Sequence, residues 1–317
     1  MNILLLYDGY RSMSDRTRIG AIQKIQEWCG LRAYGPREHK LNPDIAPIQY
    51  NETFTGSMLK EKFNPDVILL IIYAGAAVCS WYPKDICNVG VPVVAIDENH
   101  WSVDSEVTDM YLNLGVHFLV RRHFYLQEEQ VPIPSVWWPF SACDETFFPE
   151  EGIIRKNEIV FCGSAGAIDG YAVRRKAMQT LEKENMLTNA GNHVPQYTDL
   201  YKQFAGGLTC AGSAYHTPMA KAFEIILSGS ALLTNSMYND SELFGSNKCY
   251  FEYDNDCNNI IEQANIILKD KDEVAEVTQN AMNIVKERHT DRLRAKELYA
   301  ILHAIVSGIE IPRIWGQ

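Results

Sequence analysis

Along this chain, short runs that are apolar at every position alternate with stretches in which apolar residues recur every three or four positions. The run 2–6, apolar after Asn2, and the runs 67–72 and 91–96 are of the first kind, and Ile19, Ile22, Ile25 and Trp28 form a stripe of the second kind between the first two. Strand, helix, strand in that order predicts parallel β-α-β units. Runs without polar alternation predict strands covered by helices on both sheet faces. The scheme repeats later, with strands expected at 159–162, 208–211, 231–234 and 249–253. Helical faces follow at Ile260, Ala264, Ile267 and Leu268, then at Val274, Val277, Ala281 and Ile284. The pattern predicts an α/β protein of two Rossmann-like, doubly wound parallel-sheet domains.

Between residues 132 and 153 the pattern breaks into Pro132, Pro134, Pro139 and Pro149 with aromatic and acidic neighbours, which predicts the interdomain connection. A length of 317 residues suits two domains that each bury a core. The expected division is 1–150 for the first domain, 151–292 for the second, and 293–317 for a helical tail. That tail carries Ala295, Leu298, Leu302 and Ile305, a stripe suited to packing back on the first domain.

A formal charge of −11 works against unspecific attraction to a polyphosphate backbone, so DNA is a disfavoured partner unless a cleft is locally basic. The longest apolar runs, such as 67–74, stop well short of the roughly 20 residues of a membrane span. Residues 3–6 are too short an apolar run for a signal-peptide core. Eight cysteines lie far apart without metal-ligand spacing, which predicts buried free thiols in a reducing compartment. A soluble, cytoplasmic protein is expected.

Two stretches of the second half can carry chemistry. Val160-Phe161-Cys162-Gly163-Ser164-Ala165-Gly166 is a strand running into a loop of small residues, with Arg174 and Arg175 on the helix that follows. Small residues let backbone N–H groups approach an anion at a helix N-terminus, although a plain tight turn and solvated arginines fit the same pattern. The second stretch runs from His216, Thr217 and Pro218 through Lys221 and Glu224 to Gly229, then into the strand at 231–234. Proline in a first turn and glycine at a C-terminus bracket a helix. Lys221 and Glu224, three positions apart, share one face of it. They form either an exposed ion pair of small value or a divided binding site. In the second reading Lys221, with the helix N-terminus, offsets charge on a departing diphosphate, and Glu224 accepts hydrogen bonds from ribose hydroxyls.

The run Lys221-Ala222-Phe223-Glu224 through Gly229 resembles the R-x-F-E-x-x-x-x-G signature of the group 1 glycosyltransferases, particularly their CgeB-like, spore-maturation branch. Phe161-Cys162-Gly163-Ser164 with Arg174 and Arg175 resembles the F-x-G-S and R-R opening of that family's donor domain, and residues 139–147 resemble its linker. Glu242-Leu243-Phe244, the strand ending at Tyr253-Asp254, the two helices and residues 287–290 keep the family's order. The resemblance covers about residues 135–300. It implies a GT-B fold with an interdomain cleft, a hexosyltransferase using a nucleotide sugar such as a UDP-sugar, no metal or other cofactor, and retention of anomeric configuration. The donor would bind in the C-terminal domain at Gly163, Ser164, Arg174, Tyr197, His216, Thr217, Lys221 and Glu224, and the acceptor in the N-terminal domain. His216 stands eight positions before Glu224, where many members carry another glutamate, and Lys221 replaces the branch's usual arginine fork with a point charge.

In the first half, candidates come from position, because loops after parallel strands face the ligand crevice. Gly9, Tyr10 and Arg11 follow the first strand, and Asp97, Asn99, His100 and Trp101 follow the strand at 91–96. Asp97 or His100 can deprotonate an acceptor hydroxyl, and Trp101 can stack on it, unless Asp97 caps a helix and Trp101 fills core. Tyr197 either flanks the donor base or is an aromatic in a surface turn. Asp254-Asn255-Asp256 matches a D-x-D metal pattern, but its place before the helix of Ile260 predicts that Asp256 is an N-cap. A glycan, lipid, protein or modified nucleobase remains open as acceptor, and a non-catalytic nucleotide-sugar or glycan binder is the rival reading. A dinucleotide oxidoreductase is disfavoured, since Tyr7-Asp8-Gly9-Tyr10-Arg11 stands where GxGxxG is needed.

Overall fold

The computed structural model describes residues 1–6, 20–35, 48–49, 55–72, 82–83, 85–97, 105–123, 132–149, 152–166, 171–192, 194–211 and 218–315. The chain divides into two compact units, Met1–Pro139 with Arg294–Gln317, and Phe140–Leu293.

The first unit holds β1 (Asn2–Leu6), β2 (Gly30–Gly35), β3 (Ile48–Gln49), β4 (Val67–Ile72), β5 (Val93–Asp97), β6 (Phe118–Arg121) and β7 (Ser135–Trp137). They line up as β3-β2-β1-β4-β5-β6-β7, every neighbouring pair parallel. Alternate residues feed opposite faces of the sheet. Ile3, Leu5, Leu69 and Ile71 pack with Ile22, Ile25, Leu298 and Leu302, while Leu4, Leu6, Ile68 and Leu70 pack with Leu59, Ile86, Met110 and Tyr111. Helical residues therefore cover both faces, which is why β4 is buried along its whole length. Each such fully buried Leu or Ile contributes about 1.5–3 kcal/mol by leaving water. The helix Gly56–Phe63 starts where the Thr55 hydroxyl accepts from Met58 N and stops where Asn64 turns left-handed.

A buried polar network holds residues 294–315 within this unit. The Trp138 indole donates to the Arg294 carbonyl at 3.0 Å, and Arg294 Nε donates to the Pro139 carbonyl at 2.9 Å. Arg294 also grips both oxygens of Glu297, and the Trp315 indole donates to Glu297 Oε2 at 3.2 Å. Burial pushes the Glu297 carboxyl up from its ordinary value, with Arg294 pulling it back down. Among the described residues no helix is long and apolar enough to cross a membrane.

The second unit holds β8 (Lys156–Phe161), β9 (Leu187–Asn189), β10 (Phe204–Leu208), β11 (Ala231–Asn235) and β12 (Phe251–Tyr253). Their order is β12-β11-β10-β8-β9, again parallel throughout. The helices Ala172–Lys183, Ile260–Lys269 and Lys271–Arg288 bury Ala177, Leu181, Ile260, Ala264, Ile267 and Val277 against Ile159, Phe161, Leu208 and Leu233. Both units are thus the expected parallel-sheet α/β type. The cysteines among the described residues are free thiols, four of them buried.

Two local expectations are corrected. The strand anticipated at 208–211 lies at Phe204–Leu208 instead, because Gly206 and Gly207 give no apolar signal. A Cβ on Gly207 would stand 2.8 Å from Ile225, and one on Gly206 would stand 3.0 Å from Ile267, so flanking helices pack directly on this backbone. Asp256 is not an N-cap. The helix Ile260–Lys269 begins after Asn259, whose Oδ1 accepts from Asp254 N while Asp254 Oδ1 accepts from Asn258 N. Those two bonds organise the turn, and Asp256 is left on the surface 3.5 Å from Lys176.

Arg155 ties this unit together just before β8. Its guanidinium donates to the carbonyls of Tyr201, Phe204 and Ser228 and to the Ser230 hydroxyl at 2.7–3.3 Å. Ser228 is the C-cap of the helix Ala220–Leu227, so a cation also sits at the negative end of that helix. Burial lowers the Arg155 pKa from its ordinary value. Arg155→Met is expected to lower stability by about 2 kcal/mol, because the carbonyls lose a charged donor. The midpoint of urea unfolding followed by tryptophan fluorescence checks this, and Arg155→Lys should recover only part of the loss, since an ammonium cannot span the same four acceptors.

Candidate functional site

In the second sheet the strand order reverses between β8 and β10, and parallel α/β sheets bind ligands outside the carboxyl ends of their strands at such a reversal. Cys162, Gly163 and Ser164 leave β8 there, and the helix Ala220–Leu227 is the one that follows β10. The two stretches singled out in the sequence therefore meet. Lys221 Nζ donates to the Cys162 carbonyl and lies 5.3 Å from the centre of the Phe161 ring. Gly163 has φ +141°, and a Cβ there would collide with Lys221 Nζ. The small residue after β8 is thus a seat for the ammonium, which a plain tight turn would not require.

The arginines brace this loop. Arg174, only 9% exposed, donates to the Ser164 carbonyl at 2.8 Å and lies over the Tyr171 ring at 4.4 Å. Arg175 donates to the Gly166 carbonyl. Neither is a merely solvated charge: between them they hold the carbonyls of residues 164 and 166, which fixes where the loop's backbone points.

The helix Ala220–Leu227 starts from Met219, whose side chain has no oxygen with which to cap the first turn. Lys221 lies in that turn, partly buried, at the positive end of the helix. Glu224 follows one turn later and is 2% exposed, which removes the reading of an exposed ion pair. Its Oε2 accepts from the Tyr197 hydroxyl. Tyr197 opens the short helix Tyr197–Leu200 and meets the rings of Phe147 at 6.0 Å and Tyr201 at 5.9 Å, both edge-on. Burial first, and the Glu224 charge second, push the Tyr197 phenol well above its usual range. It therefore stays protonated and donates. Burial likewise raises the Cys162 thiol, with Lys221 lowering it and Glu224 raising it, so all three lie within electrostatic reach of one another.

In the first unit, Asp97 is the last residue of β5, is 2% exposed, and accepts from Arg122 N at its carbonyl. Gly9, Tyr10, Arg11, Asn99, His100, Trp101, His216 and Thr217 lie outside the described residues. Among the described residues no group of three or more His, Cys, Asp or Glu side chains converges to hold a metal ion. Sequence reasoning missed Arg155, and missed that Tyr197 serves Glu224. Only the alternation of Tyr197 and Tyr201 at helical spacing hinted at the aromatic wall behind the carboxylate.

A family model described as glycosyl transferase-like matches residues 163–300, a stretch that opens at Gly163 and includes Lys221 and Glu224. No curated protein sequence matches the chain. Several solved structures are similar across almost its whole length. A glycosyltransferase from Rickettsia africae ESF-5 has a TM-score of 0.68 at 13% identity, covering 96% of this chain and 98% of its own. Anabaena Alr3699/HepE in complex with UDP and glucose has a TM-score of 0.66 at 13% identity, covering 96% and 100%. Sucrose-phosphate synthase from Thermosynechococcus elongatus has a TM-score of 0.63 at 10% identity, covering 97% and 100%. Identities this low speak of fold, and the fold of this chain is that of the GT-B glycosyltransferases.

Proposed function

We propose that this chain is a glycosyltransferase that moves a hexose from a nucleoside diphosphate sugar, with UDP-hexoses the leading donor class, to a hydroxyl-bearing acceptor. The observation that carries this reading is the seating of Lys221 on the Cys162 carbonyl, beside Gly163, at the strand-order reversal of the second unit. The similar Anabaena protein holds UDP and glucose, which supports the same donor chemistry here.

In this reading the diphosphate lies at the start of the helix Ala220–Leu227. Its first-turn N–H groups and the Lys221 ammonium face the negative charge. Glu224, removed from water, gains hydrogen bonds from ribose hydroxyls. In the transfer, the bond from the anomeric carbon to the β-phosphate oxygen breaks and its electron pair stays on that oxygen, where Lys221 and the helix dipole stabilise it. The acceptor oxygen bonds the same carbon on the face the phosphate leaves, and the acceptor proton passes to the departing phosphate. Configuration is retained, and the charge that a divalent cation would otherwise offset falls to Lys221 and the helix. The acceptor side belongs to the first unit, at residues 9–11 and 97–101 beyond β1 and β5.

Incubating the purified protein with UDP-, GDP- and ADP-hexoses is expected to give slow donor hydrolysis with at least one of them, unchanged by EDTA. Binding without any turnover would instead make the chain a nucleotide-sugar binder. Lys221→Ala should lower turnover by about 10²–10³-fold, as loss of one preorganised transition-state donor does. Glu224→Ala should weaken UDP binding about tenfold or more. If both variants hold every activated sugar as tightly as the parent, the reading fails. Gly163→Ala displaces the ammonium from its seat and is expected to cut turnover at least tenfold, while circular dichroism still reports the native fold.

A further inference from the structure

The terminal torsion of a glutamate is broad, so a helix that places Glu224 does not by itself set the plane of its carboxylate. Something else must. Tyr197 provides it: its hydroxyl donates to Oε2, and its ring is wedged edge-on between Phe147 and Tyr201. Tyr201 is itself fully buried, and its carbonyl and that of Phe204 are held by Arg155 and by the Ser230 hydroxyl. The backbone that carries the aromatic pair is thus anchored. Two vicinal ribose hydroxyls need a carboxylate whose plane is already aligned, because a tilted one keeps one hydrogen bond and loses the other.

We propose that Tyr197 is a positioning residue that fixes the Glu224 carboxylate to read the ribose, and so sets the preference for ribonucleotide over deoxyribonucleotide donors. The inference rests on the reading of Glu224 as the ribose acceptor. It assigns Tyr197 a different task from stacking on the nucleobase. A site built to hydrogen-bond a hydroxyl discriminates strongly against an analogue that lacks it, since its own buried polar groups then lose a partner. Removing the tyrosine hydroxyl lets the carboxylate rotate and makes the missing ribose hydroxyl less costly.

Titration calorimetry with UDP, 2′-deoxy-UDP and 3′-deoxy-UDP tests this on the parent, Tyr197→Phe, Phe147→Leu and Glu224→Ala proteins. The parent should prefer UDP over at least one deoxy form by about tenfold or more. Tyr197→Phe keeps the ring contacts and is expected to weaken UDP about tenfold while leaving that deoxy form nearly unchanged, so the ratio falls toward one. Phe147→Leu, which loosens the ring but keeps the hydroxyl, should lower the ratio part of the way. If Tyr197→Phe weakens all three nucleotides equally, or none, the tyrosine is only structural and the inference is overturned. A ratio that survives Glu224→Ala removes the ribose reading itself, a separate failure. If the parent binds GDP or ADP instead of UDP, the same comparison is read with the deoxy forms of that nucleotide, and absence of binding to UDP, GDP and ADP alike removes the donor reading and this inference together.

Discussion

The site of the second unit depends on an ammonium held against a backbone carbonyl at the one place in the sheet where neighbouring crossovers run opposite ways. Lys221 reaches the Cys162 carbonyl only because residue 163 has no side chain and takes a backbone conformation closed to most others. The contact joins a loop after β8 to the helix after β10, elements far apart in the chain. A cation placed this way, with the positive end of a helix beside it, makes the local field positive.

Around this contact the unit spends its polar groups on holding backbone still. Arg174 and Arg175 take the carbonyls of Ser164 and Gly166, and Arg155 takes those of Tyr201, Phe204 and Ser228. The helix that carries Lys221 and Glu224 is therefore gripped at its C-cap, while its first turn is left to a methionine N-cap. Its inner side packs against bare backbone at Gly207, where Ile225 fills the space of the missing Cβ. Helix and strand so closely set leave the helix that carries Lys221 and Glu224 little freedom to move.

The first unit uses the same means for a different end. Arg294, Trp138 and Trp315 are buried and Glu297 is partly buried beside them, and their hydrogen bonds make residues 294–315 part of that unit instead of a loose tail. Leu298 and Leu302 supply the apolar share beside Ile3 and Leu5. Partnered this fully, the charged groups lose little by leaving water.

The parallel α/β architecture was legible because strands buried on both faces are apolar along their covered length, as β4 is throughout, β1 is after Asn2 and β5 is before Asp97. The helix with Lys221 and Glu224 was legible from its proline and glycine borders, although Pro218 precedes the helix, which starts at Ala220, and is not in its first turn. β10 was not, since two glycines carry no apolar signal, and β2, β6 and β9 were not, since each mixes charged or polar residues into a short run. What the residues alone determined was local: period, borders, and which side chains share a helix face. Tertiary structure alone decided that Gly163 seats an ammonium, that the Tyr197 hydroxyl donates to Glu224, and that Arg155 ties together backbone from four places in the unit. Those are contacts between residues that are distant along the chain, and spacing along a chain carries no information about distance across a fold.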